Sequence, residues 1–335
     1  MRLNSFLSLI IALLLTAPAA SVAQGLKPPP ARNYVWRKIF ERPSLPPGGL
    51  PDADKAALGQ DLFRDTRLSG TGTASCASCH DAARAYTDGR PKGIGPAGAM
   101  LPRNVPSLYD LAWATSFFWD GRAPTLAAQA RFPILAADEL NGNFTAIVAR
   151  LDADPEMRAR FAKSFPEDPL ISEKTLLETI AAFERSLMSP KSRFDRWVEG
   201  DDAALDAVEQ QGFAIFVGKG GCIACHGGWR FTDGAYHDIG LAGTDPGRGG
   251  IEGGHPGLPQ FKTPSLRELT KTAPYMHDGS KQTLTDVIDH YAGGLIVRPS
   301  LANALIRNLS LTHEEKAALV AFLKAVSSEP QPLTK

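Results

Sequence analysis

A mainly α-helical chain of two similar halves, with long loops and little sheet, is what this sequence predicts. Three observations predict it. The pentapeptides Cys76-Ala77-Ser78-Cys79-His80 and Cys222-Ile223-Ala224-Cys225-His226 repeat one pattern and together use all 4 cysteines of the 335-residue chain. Each is preceded by a short stretch of helically spaced apolar residues and followed, far downstream, by an amphipathic run. Glycine and proline are dense in Gly89–Pro102 and Gly240–Pro259, so loop rather than strand surrounds each motif.

The motif has a direct chemical reading. Two thiols separated by two residues can each form a thioether with a haem vinyl group, while the adjacent imidazole ligates the iron. A structural zinc site is a rival, but paired zinc motifs usually lie about 15–20 residues apart. A redox dithiol is the other rival; it accounts for C-x-x-C but not for a histidine after both copies. Two covalent haem c groups are therefore expected, one on Cys76 and Cys79 with His80 as axial ligand, the other on Cys222 and Cys225 with His226.

Taken in order, residues 1–23 read as a secretory signal peptide, with Arg2, an apolar run from Phe6 to Leu15 and the small residues Ser21-Val22-Ala23 before a cleavage site. The run is too short to span a bilayer, and no later segment has the roughly 20 apolar residues of a membrane helix. Localisation is expected to be periplasmic, with no membrane span after cleavage. Residues 24–50 are Pro-rich and read as an extended arm. Leu58, Leu62 and Phe63 mark a helix before the first motif, and Phe213 and Phe216 one before the second. Each half closes on a helix: Ile180-Ala181-Ala182-Phe183 with Leu187, then Leu319-Val320-Ala321-Phe322 with Val326. Ser172 and Thr312 read as their N-caps, the latter with Glu315 in a capping box. That outline is a cytochrome c-like domain drawn twice, over 51–190 and 191–335, each binding one covalent c-type haem. The 36 basic and 36 acidic residues cancel, so charge makes no case for nucleic acid or an anionic membrane.

Beyond the haem motifs, Tyr86-Thr87-Asp88-Gly89-Arg90, Arg103-Asn104-Val105-Pro106-Ser107, Phe118-Trp119-Asp120-Gly121-Arg122, Phe261–Arg267 and Thr272–Gly279 resemble the bacterial dihaem cytochrome c peroxidase superfamily. Within it the chain is most similar to the MauG-type, tyrosine-ligated branch. Methionine-ligated members cap the peroxidatic iron with a histidine after the first motif; here no histidine lies between His80 and His226. The resemblance thus implies a five-coordinate N-terminal haem that needs no reductive activation. It places Glu139 as the acid–base carboxylate, with Gln129 and Pro133 beside it. Read on its own, Glu139 has as its lesser alternative a solvated acid at a helix start beside Asp138. The resemblance places Tyr291 as sixth ligand of the C-terminal haem, where a phenolate would lower the potential. Met276 and His277 are the competing ligands.

The same resemblance puts Trp119 between the haems as an electron relay, although a large aromatic also packs an interface. It implies one Ca²⁺ held by Asn104, Thr272 and Pro274. Lys262 and Arg267 are candidate propionate partners; His237 and His277 are supporting groups of the C-terminal site or structural histidines. The implied function is a periplasmic oxidoreductase that reacts hydrogen peroxide at the N-terminal haem and draws electrons through the C-terminal haem. Its partner would be a small cytochrome c or cupredoxin, or a protein substrate. A dihaem electron-transfer carrier or redox sensor without peroxide chemistry is the alternative.

Overall fold

The computed structural model describes residues 33–251, 257–307 and 309–329; the expected signal peptide and residues 24–32 of the arm lie outside them. The described residues form α1 (Asn33–Phe40), α2 (Ala53–Arg64), α3 (Leu126–Leu135), α4 (Phe144–Asp152), α5 (Pro155–Ser164), α6 (Glu173–Ser186), α7 (Arg193–Val198), α8 (Ala207–Val217), α9 (Leu284–Tyr291) and α10 (His313–Ala325). Short 3₁₀ turns punctuate the loops. The sheet is a single antiparallel pair, β1 (Tyr236–His237) with β2 (Phe261–Lys262), in the register Tyr236 to Lys262 and His237 to Phe261. The mainly helical, sheet-poor expectation holds.

Each half is organised by a crossing of two helices, α2 on α6 and α8 on α10. Glycine lets both crossings close. A Cβ on Gly59 would stand 2.2 Å from the Thr179 carbonyl oxygen, and one on Gly212 would stand 2.0 Å from that of Ala318. No other residue fits there without moving backbone. The closing helices start as expected: Ser172 accepts from Thr175 N, and Thr312 with Glu315 forms a capping box. Leu58, Leu62, Ile180 and Phe161 bury in the core of the N-terminal half. Phe194, Phe213, Phe216 and Phe322 bury in that of the C-terminal half.

The expectation of an extended arm over 24–50 needs correction. Residues 33–40 are helical, and Phe40 is fully buried among Phe194, Phe213 and Phe231, with ring centroids 5.5, 5.7 and 5.0 Å away. Trp36 packs on Phe213 one turn earlier. The helix is held by this docking, since eight residues are too few to be helical alone in water.

The repeat between the halves runs further than the helices. Asn104-Val105-Pro106-Ser107-Leu108 and Lys262-Thr263-Pro264-Ser265-Leu266 open matching loops. At one constant offset, Asp110 and Glu268 both take φ 60°, Phe118 and Met276 take 69° and 74°, and Gly121 and Gly279 take 71° and 67°. The bridges Phe117 to Ala123 and Tyr275 to Lys281 correspond, as do the N-caps Thr125 and Thr283 of α3 and α9. This register sets Pro133 opposite Tyr291 and Gln129 opposite Val287.

Candidate active site

Both pentapeptides fold alike. Each begins with a 3₁₀ turn, Cys76–Ser78 or Cys222–Ala224, and the His80 and His226 amides donate to the Cys76 and Cys222 carbonyls at 3.0 and 2.9 Å. The ring Nδ1 of His80 lies 2.7 Å from the Tyr86 carbonyl, and that of His226 lies 2.7 Å from the Phe231 carbonyl. A carbonyl can only accept, so Nδ1 carries the proton and Nε2 presents its lone pair, which is the metal-ligating tautomer. Burial lowers the pKa of both imidazoles, which keeps them neutral. Tyr86 and Phe231 both adopt positive φ, so the two proximal sites share their backbone geometry as well as their sequence.

None of the four cysteines is in a disulfide. Burial pushes the Cys76 thiol up to about 12 and the Cys222 thiol up to about 11. Thiols this hard to ionise are poor redox nucleophiles, which disfavours the dithiol reading. A cavity of about 860 Å³ joins the two motifs, and of the site residues expected from sequence all but Cys76 line it. Its wall is chemically suited to haem: mostly apolar, with bases at one side. Arg267 is buried, donates to Asp195 Oδ2 at 2.7 Å and to the Trp229 carbonyl at 2.7 Å, and leaves Nη2 without a partner among the described residues. Lys262 donates to the Ser116 carbonyl at 2.6 Å; burial first, then Arg230, brings its pKa down to about 8. Burial likewise lowers Arg230. Three bases in one partly dehydrated place are what two carboxylate-bearing haems would neutralise.

At the N-terminal end of the cavity, Glu139 sits in the turn after α3 and accepts no hydrogen bond among the described residues. Burial and then Asp138 raise its pKa, with Arg122 opposing. Gln129 and Pro133 approach the same space from α3. Arg122 lies over the Phe118 ring at 3.6 Å while its Nη1 donates to Asp120. At the C-terminal end, burial strongly raises the Tyr291 pKa, with Cys222 and Cys225 adding to it, so the phenol stands close to the second motif. Met276 lines the cavity with φ at +74°. His277 stacks on Phe261 at 3.5 Å, and His290 turns away, its Nε2 2.8 Å from the Ile239 carbonyl. His237 pairs with Asp233 Oδ2 at 2.7 Å; its pKa is raised to about 9, by Cys225 first and then Asp233.

Trp119 joins the two ends. Its indole N–H donates to the Asn104 carbonyl at 2.9 Å, its own carbonyl accepts from Lys262 N at 2.7 Å, and its ring lies 6.4 Å from that of His277. Asn104 Nδ2 faces the Arg90 and Pro274 carbonyls at 2.8 and 3.3 Å, while the Thr272 hydroxyl turns to the Leu269 carbonyl. Sequence reasoning missed Arg230, although it lies just after the second motif. It also missed the clamp in which Arg103 holds Asp120 at 2.6 Å and Asp245 at 2.7 Å across the halves. Arg103 and Asp120 stand in two of the segments that carry the resemblance; nothing in sequence marks Asp245 as the further partner of Arg103.

Residues 53–203 match the family model described as di-haem cytochrome c peroxidase. The methylamine utilization protein MauG of Methylorubrum extorquens strain AM1 is 44% identical over 303 residues, 88% of this chain and 85% of the relative. The cytochrome c551 peroxidase of Nitrosomonas europaea is 32% identical over 83% of this chain and 81% of its own length. A solved MauG-like protein associated with microbial copper homeostasis superposes with a TM-score of 0.76 at 36% identity, covering 87% of this chain and 94% of that one. With two haem-attachment motifs opening on one shared cavity, the chain belongs to the di-haem cytochrome c peroxidase family, is an oxidoreductase of that family, and carries two haem c groups.

Proposed function

We propose that hydrogen peroxide reacts in the N-terminal half, at an iron with an open sixth position, and that electrons reach it through the C-terminal half. A haem held there by Cys76, Cys79 and His80 would supply the redox chemistry; the chain supplies the proton chemistry. The observation that carries this reading is the repeat itself. Where α9 offers the phenol of Tyr291, α3 offers Pro133, which has no ligating atom. Glu139 would accept a proton from one peroxide oxygen and return it to the other; its raised pKa suits both halves of that task. Trp119, hydrogen-bonded to both halves, is the electron relay. Tyr291 would be the second protein ligand holding the C-terminal haem, favoured over Met276 by its closeness to Cys222 and Cys225. Lys262, Arg267 and Arg230 hold propionates, and His237 and His277 support the C-terminal site.

A Ca²⁺ beside Asn104 completes the reading. Two carbonyls converge on the Asn104 amide, and reversing that amide would put its oxygen among them, a hard-donor set suited to Ca²⁺; Thr272 would contribute its carbonyl rather than its hydroxyl. The chain works in the periplasm, because its N-terminal segment reads as a secretory signal; among the described residues no helix is long and apolar enough to cross a membrane. The relatives include both cytochrome c peroxidases and MauG. The greater identity to MauG and the tyrosine favour a protein as the oxidised partner over a small cytochrome c or cupredoxin.

Low-temperature electron paramagnetic resonance on the resting diferric protein, before and after one equivalent of peroxide, tests this. One high-spin and one low-spin signal, both lost on peroxide addition, is the expected result. Two low-spin signals indifferent to peroxide would sink it and favour a carrier or redox sensor.

A further inference from the structure

The helix crossings set a second comparison. Gly59 meets Thr179 and Phe183 of α6 as Gly212 meets Ala318 and Phe322 of α10, so Phe183 corresponds to Phe322 and the next residue, Glu184, to Leu323. Leu323 lines the cavity at the C-terminal motif. Its counterpart Glu184 is 4% exposed, and its Oε2 is buried with no hydrogen-bond partner among the described residues. It stands near enough to Cys76 to raise that thiol's pKa. An apolar position near one haem-attachment motif is therefore a lone carboxyl near the other.

We propose that Glu184 is a redox-linked proton site of the N-terminal haem, binding a proton from solvent when that haem gains an electron and releasing it when the electron leaves. One electron enters the iron and one proton joins the carboxylate, so the charge in this dry region does not change. The inference rests on the haem attached at Cys76, Cys79 and His80 and holds whether or not that haem is where peroxide reacts. Burial pushes the Glu184 carboxyl up to about 8 and is its sole cause. No charged group of α2, α3 or the Leu111–Trp113 turn shifts it, and Cys76, which the haem converts to a thioether, is the titratable group facing it. A carboxyl so poised changes protonation near neutral pH when a nearby charge changes. Reduction adds negative charge and raises its pKa further, so proton uptake accompanies it.

The experiment is a spectroelectrochemical titration of the holoprotein from neutral pH to well above 8, the range in which a carboxyl at about 8 would be ionised beside the oxidised haem, for the native chain, Glu184→Gln and Glu184→Leu. The potential of the N-terminal haem should fall as pH rises in the native chain and lose most of that slope in both variants. Redox-difference infrared spectra should show a carboxylic C=O band that both variants lack. The C-terminal haem, facing Leu323, is the internal control and should keep its slope. A native N-terminal potential that does not vary with pH, or a slope and band that persist in the leucine variant, would overturn the proposal. A purely structural carboxyl would change stability and leave the slope alone. Should Glu184→Gln fail to take up haem, Glu184→Leu, which copies the other half, decides the matter.

Discussion

At the place where α9 of the C-terminal half carries Tyr291, α3 of the N-terminal half carries Pro133; opposite Val287 stands Gln129, and opposite Leu323 stands Glu184. The proximal sides are near copies: the same 3₁₀ turn, the same imidazole tautomer, the same positive-φ residue supplying the carbonyl. The comparison teaches where a duplicated fold is free to diverge. The proximal geometry is tied to covalent attachment and must persist. The distal wall would meet a haem only through side chains, so each can change without disturbing the helix crossing behind it. One half presents a phenol and an apolar wall; the other presents a proline with carboxyls and an amide around it.

The largest expected effect comes from Glu139→Gln, which should leave both haems attached and slow the reaction with peroxide by roughly 10²–10⁴-fold, measured by stopped-flow absorbance. Unchanged rates would remove Glu139 from the chemistry. Pro133→Tyr would make the N-terminal wall resemble the C-terminal one, so it should turn the high-spin ferric signal low-spin and suppress peroxide binding. If the signal stays high-spin, the two positions are not equivalent. Tyr291→His should alter the spectrum of the C-terminal haem alone; an unaltered spectrum there would pass the ligand role to Met276.

A smaller effect tests the shared frame. Gly212→Ala sets a methyl group against the Ala318 carbonyl and should cost about 1–3 kcal/mol, the range for overpacking, read by thermal denaturation of the holoprotein. No loss would mean that α8 and α10 can part without penalty. The smallest effect is on pH. Glu139 must be ionised to accept a proton, and burial raises its pKa, so the peroxide rate should fall with decreasing pH sooner than an ordinary carboxylate would dictate. That acid limb should vanish in Glu139→Gln, and its persistence would assign it to another group.

Much of the site was legible because covalent haem attachment needs cysteine and histidine at rigid spacing. The helix starts at Ser172 and Thr312 were legible because capping is local chemistry. The arm was misread because its prolines are conspicuous, whereas the helical pair Trp36 and Phe40 acquires meaning only against Phe213 and Phe231. Asp245 was invisible for the same reason: its partner Arg103 lies more than a hundred residues earlier and meets it only when the halves close.

The sequence by itself determined the two haems, the helical class, the duplication and the missing capping histidine, since each is a matter of residue type and short spacing. The tertiary structure alone decided that both motifs open on one cavity, that Pro133 stands where Tyr291 stands, and that Glu184 Oε2 is buried without a partner among the described residues. These are properties of surfaces brought together from distant parts of the chain. Burial, which raises the pKa of Glu139 and Glu184 and lowers that of Lys262, exists only after those surfaces meet.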